Sequence, residues 1–137
     1  MSGVPQKSAH YYGWPSAVNG SGGVVATAAA VFADYDLVVF GAGLEDVTHG
    51  DHSNTIAIMA DPQMATTDVF GYIDSVGDIN TIQGKIDKWS TMGVNGIFMD
   101  KFGYDWGVSR AQQRAIIWCI HSAGLKGYVN AWNVDDV

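Results

Sequence analysis

Short apolar runs recur along this chain, and each has the composition of a buried β-strand. The clearest is Leu-Val-Val-Phe-Gly at residues 37–41, which has no polar position, as expected of a strand covered on both faces. The predicted strands occupy residues 11–14, 37–41, 69–74, 96–100 and 126–130. Strands that start roughly 25 to 32 residues apart leave room for a crossover after each one, which predicts parallel pairing.

Helical patterns fill the intervals between these runs. The predicted helices cover residues 24–32, 52–60, 81–92 and a segment that ends at residue 123. Ser53 or Asn54 is the expected cap of the second helix, and Ser109 the expected cap of the fourth. In the third helix Ile82, Ile86 and Trp89 share one face, and Gly93 follows as the C-cap. Alternating strands and helices predict an α/β protein with a parallel sheet.

Two observations favour a TIM barrel over a doubly wound sheet. The glycines at 20–23 lack the spacing of a dinucleotide-binding loop. Polar residues recur just after the predicted strands, at the end where barrel enzymes carry their chemistry. A full barrel takes about 250 residues. We therefore expect residues 9–137 to form the N-terminal part of one, about five of eight units ending mid-domain at Val137, with residues 1–8 as a leader or linker.

Composition narrows the class of protein. The chain is 47% hydrophobic and 15% charged, which excludes a disordered segment. No apolar run reaches the ~20 residues of a membrane span. Seven basic against 14 acidic residues give a net charge of −7, and without a basic cluster we expect no nucleic-acid partner. Few charges and many aromatic residues favour an extracellular, cell-surface or virion-associated protein that handles carbohydrate.

Carboxylates at the ends of predicted strands are the candidate catalytic groups: Asp74, Asp100 and Glu45. Glycoside hydrolysis usually needs two carboxyl groups, about 5 Å apart for retention and about 6.5–9.5 Å apart for inversion. Neighbouring strands lie about 4.8 Å apart, so Asp74 and Asp100 could adopt either spacing. Two close carboxylates would raise the pKa of one of them, as a general acid requires. Strand-end aspartates that only hold loop backbone are the alternative.

Aromatic and polar residues at or after the strand ends are the candidate substrate-binding groups. An aromatic ring can stack on the apolar face of a sugar, and side chains in these loops would surround the barrel mouth. The predicted binding residues are Tyr12, Trp14, Tyr72, Tyr104, Asp105, Asn130 and Trp132. Trp106 also follows a strand, whereas Trp89 and Trp118 lie within helices and are expected to pack against the sheet.

The segment Gly-Ile-Phe-Met-Asp-Lys-Phe-Gly-Tyr-Asp at residues 96–105 resembles a motif of glycoside-hydrolase TIM barrels related to endo-α-1,4-polygalactosaminidase and spherulin-4-like proteins. Further matching stretches lie at 43–46, 70–74, 121–125 and 130–133, so the resemblance extends from residue 11 to residue 137. It implies a glycoside-hydrolase-like barrel that acts on polysaccharide. Such barrels also occur in phage tail and other surface proteins.

This chain departs from the family pattern at Lys101, where an acidic pair is expected after the fourth strand. If the missing glutamate carries the acid/base role, the site is altered. A lysine at a barrel strand end can also form a Schiff base, as in aldolases. The preceding Asp100 would instead keep Lys101 charged, and strand alternation points the two side chains to opposite sides.

Other reactive residues have simpler interpretations. His49, Asp51 and His52 could hold a metal, but a loop with a helix cap is favoured, and we predict no metal or other cofactor. Cys119 excludes an intrachain disulfide and is expected to be a buried core thiol. His121 lies near a helix C-terminus, where it complements the helix dipole.

Two functions remain open at the level of sequence. One is a glycosidase-like domain that acts on an extracellular or cell-surface polysaccharide. The other is a non-catalytic carbohydrate-binding or structural module of a surface or phage tail assembly. Fold does not separate them, so enzymatic activity stays undecided. In either case the first and fifth strands would expose open edges. We expect the rest of the barrel or another chain to cover them.

Overall fold

A computed structural model describes residues 6–137 as an α/β protein built on one sheet of five parallel strands. The strands are β1 (Ser8–Tyr11), β2 (Leu37–Phe40), β3 (Asp68–Asp74), β4 (Gly96–Asp100) and β5 (Lys126–Val129). Their spatial order is the order of the chain, which leaves β1 and β5 as the outer strands. The register of β5 on β4 runs from Lys126 opposite Gly96 to Val129 opposite Met99. The predicted parallel α/β class is confirmed.

A helix follows each of the first four strands. These are α1 (Val25–Phe32), α2 (His52–Ala60), α3 (Ile79–Met92) and α4 (Arg110–Ser122), with short 3-10 turns at Pro15–Gly20, Pro62–Met64, Tyr104–Trp106 and Val134–Asp136. Ser109 caps α4 as predicted, accepting a hydrogen bond from the Gln112 backbone. Gly93 ends α3 in the left-handed conformation. No helix in the described part of the chain is long and apolar enough to cross a membrane.

The chain divides into two compact units, with the boundary inside β3 after Phe70. In the first unit, an aromatic side chain of α1 packs against aromatic residues of β1 and β2. The Phe32 ring meets the Phe40 ring at 5.0 Å and the Tyr11 ring at 5.5 Å, both edge to face. Val38 and Val39 are fully buried beside them, as the apolar run of β2 predicts.

The second unit is organised around Trp89. The predicted apolar face of α3 is buried, and Trp89 itself has no exposed surface. Its indole lies where a side chain on Gly71 of β3 would stand, because an added Cβ there would come within 2.2 Å of the ring. The indole N–H donates to the Tyr72 carbonyl at 3.0 Å. A glycine in β3 therefore lets α3 pack directly on the strand that carries Tyr72 and Asp74.

Three predictions about the bounds and caps of strands and helices are wrong. The first strand was predicted at residues 11–14 but runs from Ser8 to Tyr11, because these are the residues that pair with Leu37–Phe40 of β2. This places Ser8 in a strand rather than in the predicted leader, while residues 1–5 lie outside the described residues. The N-cap of α2 is Asp51, not Ser53 or Asn54.

Two predictions of burial also fail, both on α4. Trp118 is 72% exposed instead of packing against the sheet, and Cys119 is half-buried rather than a core thiol. The buried face of this helix consists of Gln113, Ile116 and Ile120. Residues two positions away from Ile116 or Ile120 fall on other faces of a helix with 3.6 residues per turn, so Trp118 turns outward.

Candidate functional site

Asp100 is the residue of the candidate site whose side chain accepts the most hydrogen bonds. It ends β4, and both of its carboxylate oxygens accept hydrogen bonds. Oδ2 accepts from the Tyr72 hydroxyl at 2.7 Å, while Oδ1 accepts from the Asn130 side-chain amide at 3.0 Å and from the Lys101 backbone N–H at 2.9 Å. These donors come from β3, from the residue after β5 and from the loop after β4. Three neighbouring strand ends thus orient one carboxylate.

Asp74, at the end of β3, forms an ion pair with Lys101. Its Oδ2 lies 2.9 Å from Lys101 Nζ, and its Oδ1 accepts from the Val76 backbone at 2.9 Å. Burial by itself raises the pKa of Asp74, but the hydrogen bonds from Lys101 and Val76 outweigh it and hold this pKa below its usual value. The expectation that like charges would raise one pKa, as a general acid needs, therefore does not hold for Asp74.

Lys101 reaches Asp74 because its backbone leaves the strand conformation. Its φ of 56° lies in the left-handed region, which L-residues other than Asn and Asp rarely adopt. Strand alternation, which predicted that Lys101 and Asp100 point to opposite sides, no longer applies once φ changes sign. The hydrogen bond to Asp74 raises the pKa of Lys101 and keeps its ammonium charged, which removes the basis for a Schiff-base nucleophile.

The 3-10 turn Tyr104–Trp106 presents two exposed aromatic rings beside these groups. The Lys101 ammonium lies 5.7 Å from the centre of the Trp106 ring, and the Arg110 guanidinium lies 5.5 Å from the centre of the Tyr104 ring. Both distances are within the range of cation–π attraction. The turn therefore carries two aromatic surfaces, each with a cation against it.

An open cavity of about 840 Å³ lies next to Asn130, after β5. Its lining comprises Asp105, Val129, Asn130, Ala131, Trp132, Asn133, Val134 and Val137. The backbone of Asn130 is fixed on both sides, since its N–H donates to Met99 and its carbonyl accepts from Phe102. Asn130 therefore contacts Asp100 through its side chain and also borders the cavity. Trp132 is 81% exposed at its edge.

The structure thus places seven of the sequence-predicted residues in the second unit: Asp74, Asp100, Tyr72, Tyr104, Asp105, Asn130 and Trp132. Tyr72 and Asn130 both donate to Asp100. Lys101 links Asp100 to Asp74, through its backbone N–H on one side and its ammonium on the other. Tyr72 was predicted as a sugar platform, yet its hydroxyl is committed to Asp100. Its ring lies 5.9 Å from that of Phe98.

The remaining predicted residues, Tyr12, Trp14 and Glu45, belong to the first unit. Glu45 is buried, and its carboxylate accepts from the Gly43 backbone at 2.7 Å, which is the loop-holding role of the alternative interpretation. Trp14 is exposed and lies 5.4 Å from the His49 ring, while Tyr12 contacts His10 edge to face.

Asp51 organises a second polar cluster in the first unit. It has no exposed surface, and it accepts from the Ser16 backbone at 2.9 Å, the Ser16 hydroxyl at 2.6 Å and the Asn54 amide at 2.9 Å. Burial raises the pKa of Asp51, but these hydrogen bonds outweigh it and lower the pKa. His49 Nδ1 accepts a hydrogen bond from the Asp51 backbone N–H, so the lone pair of that ring nitrogen is used within the loop. No group of three metal-ligating side chains occurs among residues 6–137.

Two residues of the candidate site are missing from the sequence-based list of site residues. From its sequence, Lys101 is a candidate nucleophile and a departure from the family motif, and nothing in the sequence indicates its ion pair with Asp74. Trp106 was recognised only as one of several strand-end aromatics. The only sequence signal for both is their position, directly after a strand and a few residues into its loop. No family model, curated protein or solved structure matches this chain.

Proposed function

We propose that the site around Asp100 binds a polysaccharide, in a glycoside-hydrolase-like domain that works outside the cell, on a cell surface or in a phage tail assembly. The observation that carries this proposal is the fixed Asp100 carboxylate beside exposed aromatic rings. A carboxylate has about four acceptor positions, and three are used here, so one stays available to a sugar hydroxyl. Trp132 and Trp106 offer apolar surfaces of the kind on which sugars stack.

Binding without hydrolysis is the favoured form of this proposal because of the Lys101–Asp74 ion pair. A general acid must hold a proton near the working pH, which requires a raised pKa. Lys101 shifts the pKa of Asp74 in the opposite direction. Asp100, for its part, already accepts three hydrogen bonds through its two carboxylate oxygens.

Glycoside hydrolysis is the second candidate, and the geometry of Asp100 is what favours it. A nucleophile or general base must be held in a defined position, and Tyr72 and Asn130 hold this carboxylate from two sides. The acid would then have to be a carboxyl group other than Asp74.

The test uses two exposed tryptophans as a matched pair. Trp132 is 81% exposed at the cavity, and Trp118 is 72% exposed on α4, within the helix rather than in a strand-end loop. In affinity electrophoresis through gels that contain candidate polysaccharides, Trp132→Ala should weaken retardation by about tenfold. Trp118→Ala should leave it unchanged. If the two variants behave alike on every polysaccharide, the proposal is wrong.

A reducing-end assay on the same polymers separates binding from hydrolysis. The favoured form predicts retardation in the gel with no release of reducing ends. Release that Asp100→Asn abolishes would support the second candidate instead.

A further inference from the structure

Lys101 occupies a backbone position that disfavours it. Its φ is 56°, and the only other described non-glycine residue with a positive φ is Asn19, at 47°. Asparagine tolerates this conformation far better than lysine does. Strained residues of this kind concentrate at binding and catalytic sites, where the surrounding structure holds them. A glycine or an asparagine would relieve the strain, so the presence of lysine indicates that its ammonium is needed.

The ammonium of Lys101 is held in place before any ligand arrives. Asp74 anchors it at 2.9 Å, and the Trp106 ring lies 5.7 Å away. The lysine side chain is nevertheless 36% exposed. An ammonium carries three N–H donors, and one of them serves Asp74, so donors remain for a ligand.

A second cation stands at the other ring of the same turn. Arg110 lies over Tyr104, and its guanidinium is fixed by a hydrogen bond of 2.7 Å to Gln113. The whole chain has only seven Lys and Arg residues, and two of them flank this one turn. Of the carboxylates near this turn, Asp74 is paired with Lys101 and Asp100 accepts three hydrogen bonds, while Asp105 lies in the turn itself and is exposed.

We infer that Lys101 is a specificity-determining residue that selects polysaccharides whose sugars carry carboxylate groups. The ligand carboxylate accepts a hydrogen bond from the Lys101 ammonium while the sugar ring lies against the aromatic turn. This inference rests on the proposed carbohydrate-binding function and names its substrate class. It also predicts that a polymer of positively charged amino sugars, which offers no carboxylate to Lys101, binds less tightly than a polymer that carries carboxylates.

The experiment compares three polymers with similar backbones in the affinity gel: polygalacturonate, its methyl ester and polygalactosamine. They are anionic, neutral and cationic, respectively. The wild-type protein should bind polygalacturonate about tenfold more tightly than the methyl ester and should bind polygalactosamine most weakly. Lys101→Gln should remove the difference between the first two polymers while the methyl ester is still bound. Lys101→Arg should keep it.

Lys126→Gln is the matched control. It removes the same charge from the start of β5, which pairs with the opposite end of β4 from Lys101, and it should retain the preference. A preference for polygalactosamine, or an unchanged preference in Lys101→Gln with circular dichroism like that of the wild type, would overturn the inference while leaving the proposed function in place. Failure to bind any of these or other polysaccharides would overturn the proposed function itself.

Discussion

Gly71→Ala should destabilise the protein through a single steric conflict. Gly71 lies within β3 with a negative φ or an extended backbone, so alanine is conformationally acceptable there. The added Cβ would lie 2.2, 2.5 and 2.5 Å from three atoms of the Trp89 indole. Real Cβ atoms do not approach carbon this closely, and Trp89 has no exposed side from which to retreat. The helix or the ring must move.

The expected cost follows from these contacts. Overpacking a core by one methyl group costs about 1–3 kcal/mol. Displacing the indole also breaks its hydrogen bond to Tyr72, worth about 1 kcal/mol. We therefore expect the free energy of unfolding to fall by about 2–4 kcal/mol. For a urea m-value of about 1–3 kcal/mol/M, a loss of 3 kcal/mol lowers the midpoint by about 1–3 M.

Gly84→Ala provides the control in the same second unit. Gly84 lies within α3, and an added Cβ there meets nothing within 4 Å. Replacing a helical glycine by alanine should stabilise the protein by about 0.5–1 kcal/mol. Urea titrations of both variants and the wild type, at one protein concentration, decide the matter. A midpoint for Gly71→Ala equal to or above that of the wild type would refute the packing of α3 on β3 described here.

Five further outcomes are expected. Asp51→Ala should lower the free energy of unfolding by about 3 kcal/mol, because it leaves the buried N–H and hydroxyl of Ser16 without their acceptor. The folded state lowers the pKa of Asp51, so the ionised Asp51 side chain stabilises the fold fully above its unfolded pKa of about 3.9. This contribution to the free energy of unfolding is lost as the pH falls further. Asp51→Asn should therefore flatten the acid limb of a curve of stability against pH. If the site hydrolyses glycosides, Asp100→Asn should reduce turnover by about 10²–10⁴-fold with folding intact. If Lys101 has silenced the site, Lys101→Glu should raise hydrolysis of amino-sugar polymers. No change in either rate would exclude both catalytic interpretations. The 137-residue chain alone should self-associate through the open edges of β1 and β5, and a sharp monomeric boundary in sedimentation velocity would contradict this.

The helices and strands could be predicted from local patterns, and most of their bounds agree with the structure. The α2 range of 52–60 and the β4 range of 96–100 match at both ends. The buried face of α3 was also correctly predicted, since a period of 3.6 residues selects it regardless of what it packs against. The same period places Trp118 of α4 outside the buried face formed by Ile116 and Ile120, which the prediction that this tryptophan packs against the sheet overlooks.

The composition of the candidate site was only partly predictable. Parallel strands bring their carboxyl ends to one edge, so the sequence could indicate that Asp74, Asp100 and Asn130 belong together. It could not assign their contacts, because Asp100 takes its side-chain donors from residues 28 and 30 positions away in the chain. The lowered pKa of Asp74 likewise depends on a hydrogen bond from a lysine 27 residues away.

The sequence alone therefore determined the alternation of strands and helices, their parallel order and the strand ends that carry polar groups, because these follow from periodicity and connection length. Only the tertiary structure decided what those polar groups do. The left-handed turn at Lys101 reverses the direction that strand alternation predicts and brings its ammonium to Asp74, which forms an ion pair beside the hydrogen-bonded carboxylate of Asp100. Such a turn depends on the surrounding contacts that hold a disfavoured φ, and no pattern in neighbouring residues encodes them.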